Sequence, residues 1–190
     1  ISKSLLTYFP QSQLAGDTVA PNGTNFTSNV RSVLNDDTGL VRMDHTLTTH
    51  DTLSGHFITY NGRVVSGGPI PLIGGNTNSP LSQSVFLEEN HTFTPALLNT
   101  LRVGYSFNQT NFVVEDAGSN AQKIFTDSAG NPLPGVVNAT ANPTDSGLPT
   151  VQISGFARLG SAANLPQGRK TRTYEIYDTV SASSLFGSSK

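Results

Sequence analysis

Three histidines and two aspartates in the first half of the chain are the residues whose types best suit metal chemistry. His45, His50 and His56 are spaced by five and six residues, and Asp44 and Asp51 lie beside two of them. Imidazole and carboxylate groups bind zinc, so a turn that brought them together could form a metal site. The alternative is a set of polar residues around a tight turn, and we favour that interpretation.

Two further patterns resemble catalytic or phosphate-binding motifs. Glu88 and Glu89 are adjacent, so on a strand they point to opposite faces and cannot act as a paired acid and base. Residues 168–171 read Gly-Arg-Lys-Thr, like the end of a phosphate-binding loop, but the preceding glycine has the wrong spacing and no strand leads into it. We therefore predict that the chain is not an enzyme and has no catalytic residue, cofactor or metal ion. Its ligand-binding residues stay unassigned.

The composition favours a β-rich protein and excludes several classes. Only 13% of the 190 residues are charged, against about 25% in typical soluble domains. The absence of cysteine rules out disulfides and thiolate metal sites. A net charge of −2 gives no basic excess for binding nucleic acid. No apolar run is long enough for a transmembrane helix.

One basic cluster stands out near the end of the chain, formed by Arg169, Lys170 and Arg172. At the outer rim of a membrane barrel it would meet lipopolysaccharide phosphates. The alternative, which we favour, is the solvated start of a strand.

Alternating apolar and polar residues predict the strands that must position these side chains. Leu101, Val103, Tyr105 and Phe107 alternate with Arg102, Gly104, Ser106 and Asn108, which is the period of a strand with two unlike faces. We predict a single β-rich segment over residues 1–190. Within it we expect a loop-rich start at 1–37, hairpins at 38–61 and 83–108, a long loop excursion at 109–172 with one short strand near 150–156, and a strand and turn at 173–190.

Short and long connections alternate along the chain. The short ones are expected at 48–52, 95–99 and 183–187, and the long ones at 62–82 and 109–172. Outer-membrane barrels have tight turns at one end and long loops at the other, with strands of about nine to eleven residues. The predicted fold is all-β, with antiparallel up-and-down hairpins that form part of an outer-membrane-type barrel or an open sheet or sandwich.

Four segments, in order, resemble TonB-dependent receptors of the Oar-like, carboxypeptidase-regulatory-like family. They are VRMDHTL with DTLSG at 41–55, ENHTFTPALLN with LRVGY at 89–105, GLPTVQISGFARLG at 147–160, and YEIYDTVS at 174–181. The resemblance implies an internal slice of a Gram-negative outer-membrane barrel that imports a bulky ligand with energy from TonB, and its partners would be outer-membrane lipid and the TonB system.

In such a barrel, alternation assigns each side chain to the lumen or to lipid. The lumen-facing or plug-facing residues would be Arg42, Asp44, Glu88, Asn90 and Arg102. The lipid-facing residues would be Val41, Met43, Val85, Leu87, Leu101, Val103, Tyr105 and Phe107. Ligand contacts would come from 62–82 and 109–172.

The composition leaves two alternatives open. The first is an extracellular or cell-surface β-rich structural protein, a fibre subunit or adhesin, whose copies pair through open strand edges. The second is a soluble carbohydrate-binding sandwich, which would require a clustered aromatic face that the sequence lacks.

Overall fold

The regular secondary structure of the described residues consists almost entirely of β-strands. The computed structural model describes residues 5–15, 23, 25–68, 70, 74–119, 127, 129, 131, 147–160 and 162–183. Its strands are β1 (Ser32–Thr46), β2 (Asp51–Ser66), β3 (Asn76–Asn78), β4 (Leu81–Thr94), β5 (Leu97–Val114) and β6 (Gln167–Ala182). Across the described part of the chain, no helix combines the length and the apolar character needed to cross a membrane.

These strands form one sheet with β1 and β6 at its edges. β1 pairs with β2, β2 with β4, β4 with β5, and β5 with β6, while the short β3 pairs with the ends of β2 and β5. The β2–β4 and β4–β5 pairs are antiparallel. β6 also runs antiparallel to β5, because Ser183 N donates to Ala96 O at one end (2.9 Å) and Arg172 lies over Phe107 towards the other. The predicted all-β antiparallel fold is confirmed.

The strands run past the ends that alternation predicted. β1 begins at Ser32 within the expected loop-rich start, and β2 continues to Ser66. β5 and β6 both extend into the expected 109–172 excursion, and β3 lies within the expected 62–82 loop. The five principal strands are 14 to 18 residues long, whereas nine to eleven residues were expected. The turn expected at 183–187 lies outside the described residues, apart from Ser183.

The sheet has two chemically unlike faces, which the strand register defines. Phe57, Val85 and Tyr105 are aligned across β2, β4 and β5, and so are Gly55, Leu87 and Val103. The intervening positions align Ser54, Glu88 and Arg102, and then His56, Phe86 and Gly104. We call the side with the first two sets the apolar face and the side with the last two the polar face.

The apolar side chains of this sheet are largely exposed. The chain divides into two compact units, of which the sheet unit contains Asp36–Gly62, Pro80–Thr110 and the described part of Arg169–Lys190. None of the buried hydrophobic residues belongs to the described part of the sheet unit. Met43 is 62% exposed, Leu87 45% and Ile176 76%. A sheet face with so much exposed hydrocarbon requires lipid or another protein surface against it.

The loop unit comprises the described residues of Ile1–Asn35, Arg63–Ser79 and Asn111–Gly168, and it holds the buried core. Leu5, Ile70, Leu148 and Leu159 form this core. The strand expected near 150–156 is instead an isolated bridge between Val151 and Leu159, with both backbone hydrogen bonds at 3.0 Å. Leu148 N donates to the buried Asp116 carboxylate at 2.6 Å, which fixes this segment beside the end of β5.

Candidate functional site

The polar face carries a cluster of charged, hydrogen-bonding and aromatic side chains from four neighbouring strands. β1 supplies Arg42 and Asp44, β2 supplies Ser54 and His56, β4 supplies Phe86, Glu88 and Asn90, and β5 supplies Thr100 and Arg102. Their positions follow from the period of two along each strand, which turns every second side chain to the same face. The five residues predicted to face a lumen or plug therefore share one face.

Glu88 joins β4 to β5 through its carboxylate. Arg102 lies directly opposite in the register, and its Nε donates to Glu88 Oε2 at 2.8 Å, while its Nη2 contacts the same oxygen. The other oxygen of Glu88 accepts a hydrogen bond from Asn90 Nδ2 at 3.1 Å. Asn90 Oδ1 in turn accepts from Thr100 Oγ1 at 2.6 Å. This chain of contacts holds the acidic group in a fixed orientation.

A second ion pair lies on edge strand β1. Arg42 donates to Asp44 from Nε at 2.8 Å and from Nη2 at 3.0 Å. Both side chains are more than half exposed, so solvent screens this pair more than it screens Glu88, whose side chain is 24% exposed.

Between these pairs the polar face forms a shallow groove of about 350 Å³, lined by Arg42, Ser54, Gly55, His56, Phe86, Glu88 and Arg102. The His56 and Phe86 rings lie 5.1 Å apart, tilted by 35°. Phe86 also covers Gly104, where an added Cβ would lie 2.6 Å from the ring. The groove thus offers an aromatic floor with two guanidinium groups and one carboxylate, which suits polar or charged solutes.

The histidines are not brought together. Alternation places His45 on the apolar side of β1, His56 lines the polar groove, and the His50 ring contacts Thr49 Oγ1 at 3.0 Å in the turn. The favoured interpretation, a set of polar residues around a tight turn, stays a prediction.

The structure instead gathers Asp51, Glu89 and His91, whose donor atoms lie within 4.8 Å of one another. They lie on the apolar side of the sheet, at its tight-turn end, where Glu89 is aligned between Leu53 and Leu101. Thr48 Oγ1 donates a hydrogen bond to the Asp51 carboxylate, and His91 Nδ1 contacts its other oxygen. The donor types could hold a divalent cation. Sequence analysis missed this cluster because only the β2–β4 pairing brings Asp51 opposite His91.

The structure also places the glutamates and the basic cluster that were singled out from the sequence. Glu88 and Glu89 point to opposite faces, as predicted. In the basic cluster, Arg172 lies on the apolar face with its Cζ 5.3 Å from the Phe107 ring centre, and Lys170 shares that side of β6 while Arg169 does not. Ligand contacts were predicted from 62–82 and 109–172, and residues 69, 71–73, 120–126, 128, 130, 132–146 and 161 of these segments lie outside the described residues.

Comparison with known proteins gives one family. A family model described as an outer membrane beta barrel domain matches residues 1–184 of the 190. Neither a curated protein nor a solved structure gives a significant match.

Proposed function

Because this chain belongs to the family of outer membrane β-barrel domains and lies in the Gram-negative outer membrane, we propose that it forms part of the wall of a TonB-dependent receptor. In this proposal the wall imports a bulky ligand and is not itself an enzyme. The apolar face meets lipid, and the polar face lines the lumen or contacts a plug.

The separation of the two faces is the observation that carries this proposal. On β5, Leu101, Val103, Tyr105 and Phe107 occupy one side, and Arg102, Ser106 and Asn108 occupy the other. Removing one large apolar side chain from water stabilises a protein by about 1.5–3 kcal/mol. A row of such side chains on each strand therefore strongly favours lipid over water, and the charged groove has the opposite preference.

The connections support the same placement. The turn after β1 spans residues 47–50 and the turn after β4 spans 95–96, and both lie at one end of the sheet. The connection from β5 to β6 spans residues 115–166 at the other end. Outer-membrane barrels have tight periplasmic turns and long extracellular loops.

The resemblance of residues 41–55, 89–105, 147–160 and 174–181 to Oar-like receptors supports the finer assignment to TonB-driven import. Photo-crosslinking of the native protein to TonB in living cells tests it. We expect a crosslinked complex that disappears in cells whose TonB lacks its periplasmic domain. If the protein never crosslinks to TonB, the proposed import driven by TonB is wrong. That result would not affect the assignment of the chain to a barrel wall.

A second function, an extracellular fibre or adhesin built by strand pairing between copies, is favoured by the edges of the sheet. Nearly every residue of β1 and β6 is exposed. An unpaired edge is a template for pairing with another chain. Electron microscopy of native material prepared without detergent distinguishes the two functions: ordered filaments would support the fibre and overturn the receptor.

A further inference from the structure

A group of cationic and aromatic side chains lies where β5 and β6 meet on the apolar face. We call this group the basic corner; it consists of Lys170, Arg172, Tyr174, Tyr105 and Phe107. The Arg172 guanidinium lies over the Phe107 ring, with 5.3 Å from Cζ to the ring centre. The Tyr105 and Tyr174 rings lie 5.2 Å apart, tilted by 47°. Phe107 thus lies beneath Arg172, and the two tyrosines lie on the same side of the sheet.

The contacts assign the cations to this face. Tyr105 belongs to the apolar row with Phe57 and Val85, so its partner Tyr174 is on the apolar face as well. Since side chains alternate along a strand, Arg172 and Lys170 share the side of Tyr174, and Arg169 points to the other side. All of β6 from Gln167 to Tyr174 is exposed, so both cations are accessible.

Asp178 is the acidic residue that alternation places on the apolar face within β5 and β6, and Asp37 lies on that side of β1, at the other edge of the sheet. Neither Lys170 nor Arg172 forms an ion pair within the described residues. Asp178 shares their side of β6 but lies six residues from Arg172, which is about 20 Å along an extended strand. Asp51 and Glu89 are at the tight-turn end. Within β5 and β6, the two cations therefore have no acidic neighbour on this face nearer than Asp178.

From this arrangement we propose that the basic corner binds the phosphate groups of a membrane lipid whose acyl chains lie along the apolar face. The inference rests on the proposed contact of that face with lipid. Cations that border an exposed apolar surface match a ligand with a phosphate at one end and hydrocarbon at the other. Arginine binds a phosphate through two parallel hydrogen bonds, and lysine adds a second positive charge. The Phe107 ring limits the positions of the guanidinium and so reduces the entropy lost on binding.

The position of the basic corner selects the leaflet. It lies at the end of the sheet that carries the 115–166 connection, which is the outer end in barrels of this kind. The expected ligand is therefore a phosphate-bearing lipid of the outer leaflet.

The test uses the native protein, extracted in detergent and titrated with fluorescent diphosphoryl lipid A or with its dephosphorylated form. We expect the diphosphoryl lipid to bind more tightly, and the Lys170→Gln/Arg172→Gln variant to lose roughly tenfold or more of that affinity. Arg172→Lys should retain part of it. Arg169→Gln is the matched control, because it removes the same charge from the other side of the strand and should change the affinity less than about twofold.

Three results would overturn the inference. They are equal binding of the phosphorylated and dephosphorylated lipids, an equal loss in Arg169→Gln, and full displacement of the lipid by millimolar inorganic phosphate, which would indicate a site for free anions. A second measurement distinguishes failure of the phosphate site from failure of the proposed function. A fluorescent probe is attached to Val103→Cys, and its quenching by lipid-attached nitroxides is measured. The quenching persists if only the phosphate site is wrong and is absent if the apolar face does not meet lipid.

Discussion

At the scale of single residues, the Glu88–Arg102 pair on the polar face links β4 to β5. Its carboxylate accepts hydrogen bonds from Arg102 on one oxygen and from Asn90 on the other. Because the pair lies between two paired strands rather than at an edge, water screens it less than it screens Arg42 and Asp44.

We expect Arg102→Ala to lower the free energy of unfolding by about 0.5–1 kcal/mol, since Glu88 then loses its positive partner. The matched variant Arg42→Ala removes a more exposed partner and should cost less. Urea unfolding of the protein in lipid vesicles measures both effects. Glu88→Gln, alone and combined with each arginine variant, completes the double-mutant cycles. An equal cost for the two arginines would contradict the difference in screening.

Gly104 is predicted to be intolerant of a side chain. A Cβ there would lie 2.6 Å and 2.8 Å from two atoms of the Phe86 ring, so the ring must move. We expect Gly104→Ala to cost about 1–3 kcal/mol of unfolding free energy. Adding Phe86→Leu should restore part of the loss. Ser106→Ala on the same face is the control and should be nearly neutral, and a neutral Gly104→Ala would mean that Phe86 does not cover this position.

Residue-level prediction from sequence succeeded where only strand alternation was needed. Adjacent Glu88 and Glu89 had to face opposite sides in any strand. The group of Asp51, Glu89 and His91 could not be predicted, because it depends on which strands pair and in what register. Residue spacing also suggested that His45, His50 and His56 could group together. Strand alternation instead places His45 and His56 on opposite faces of the sheet.

At the scale of elements, alternation identified the strands only where their two faces differ. Leu101 to Asn108 switches between apolar and polar at every step. Beyond it, Gln109, Thr110 and Asn111 are polar on both sides, so the periodic signal ends while β5 continues to Val114. β2 is ambiguous for a related reason, because Phe57 lies on the apolar face and Ile58 on the polar one.

A charge placed on the apolar face of β5 should cost more stability than the same charge on its polar face. Val103→Lys puts an ammonium group in the middle of the apolar rows and should destabilise the protein in lipid by about 2–4 kcal/mol. Ser106→Lys adds the same charge to the polar face and should cost far less. Urea unfolding in vesicles compares them, and equal costs would show that the faces do not meet different environments.

The turn between β1 and β2 depends on Thr48. Its hydroxyl oxygen accepts hydrogen bonds from the backbone N–H groups of His50 and Asp51, both at 3.1 Å, and donates to the Asp51 carboxylate. We expect Thr48→Ala to increase amide hydrogen exchange at His50 and Asp51 roughly fivefold or more. Thr49→Ala is the control, since among the described residues its hydroxyl contacts only the His50 ring. Unchanged exchange in Thr48→Ala would contradict this role.

At the scale of the whole molecule, the sheet unit lacks what stabilises a soluble domain. Its described residues include no buried hydrophobic side chain, and the buried core belongs to the loop unit. Under the proposed placement in the bilayer, lipid hydrocarbon takes the place of that core on the apolar face, and other strands pair with the edges of β1 and β6. Sequence could predict the fold class and both faces. It could not predict the loop core, whose contacts join residues as distant as Leu5 and Leu159.

The central claim is that one face of this sheet meets lipid and the other meets water. The chain contains no cysteine, so single cysteines at positions 101 to 108 give an unambiguous readout. With the protein in its outer membrane, we predict that probes at odd positions are quenched by lipid-attached nitroxides and that cysteines at even positions react with a membrane-impermeant maleimide. Equal reactivity at odd and even positions, with no quenching by lipid, would contradict the account.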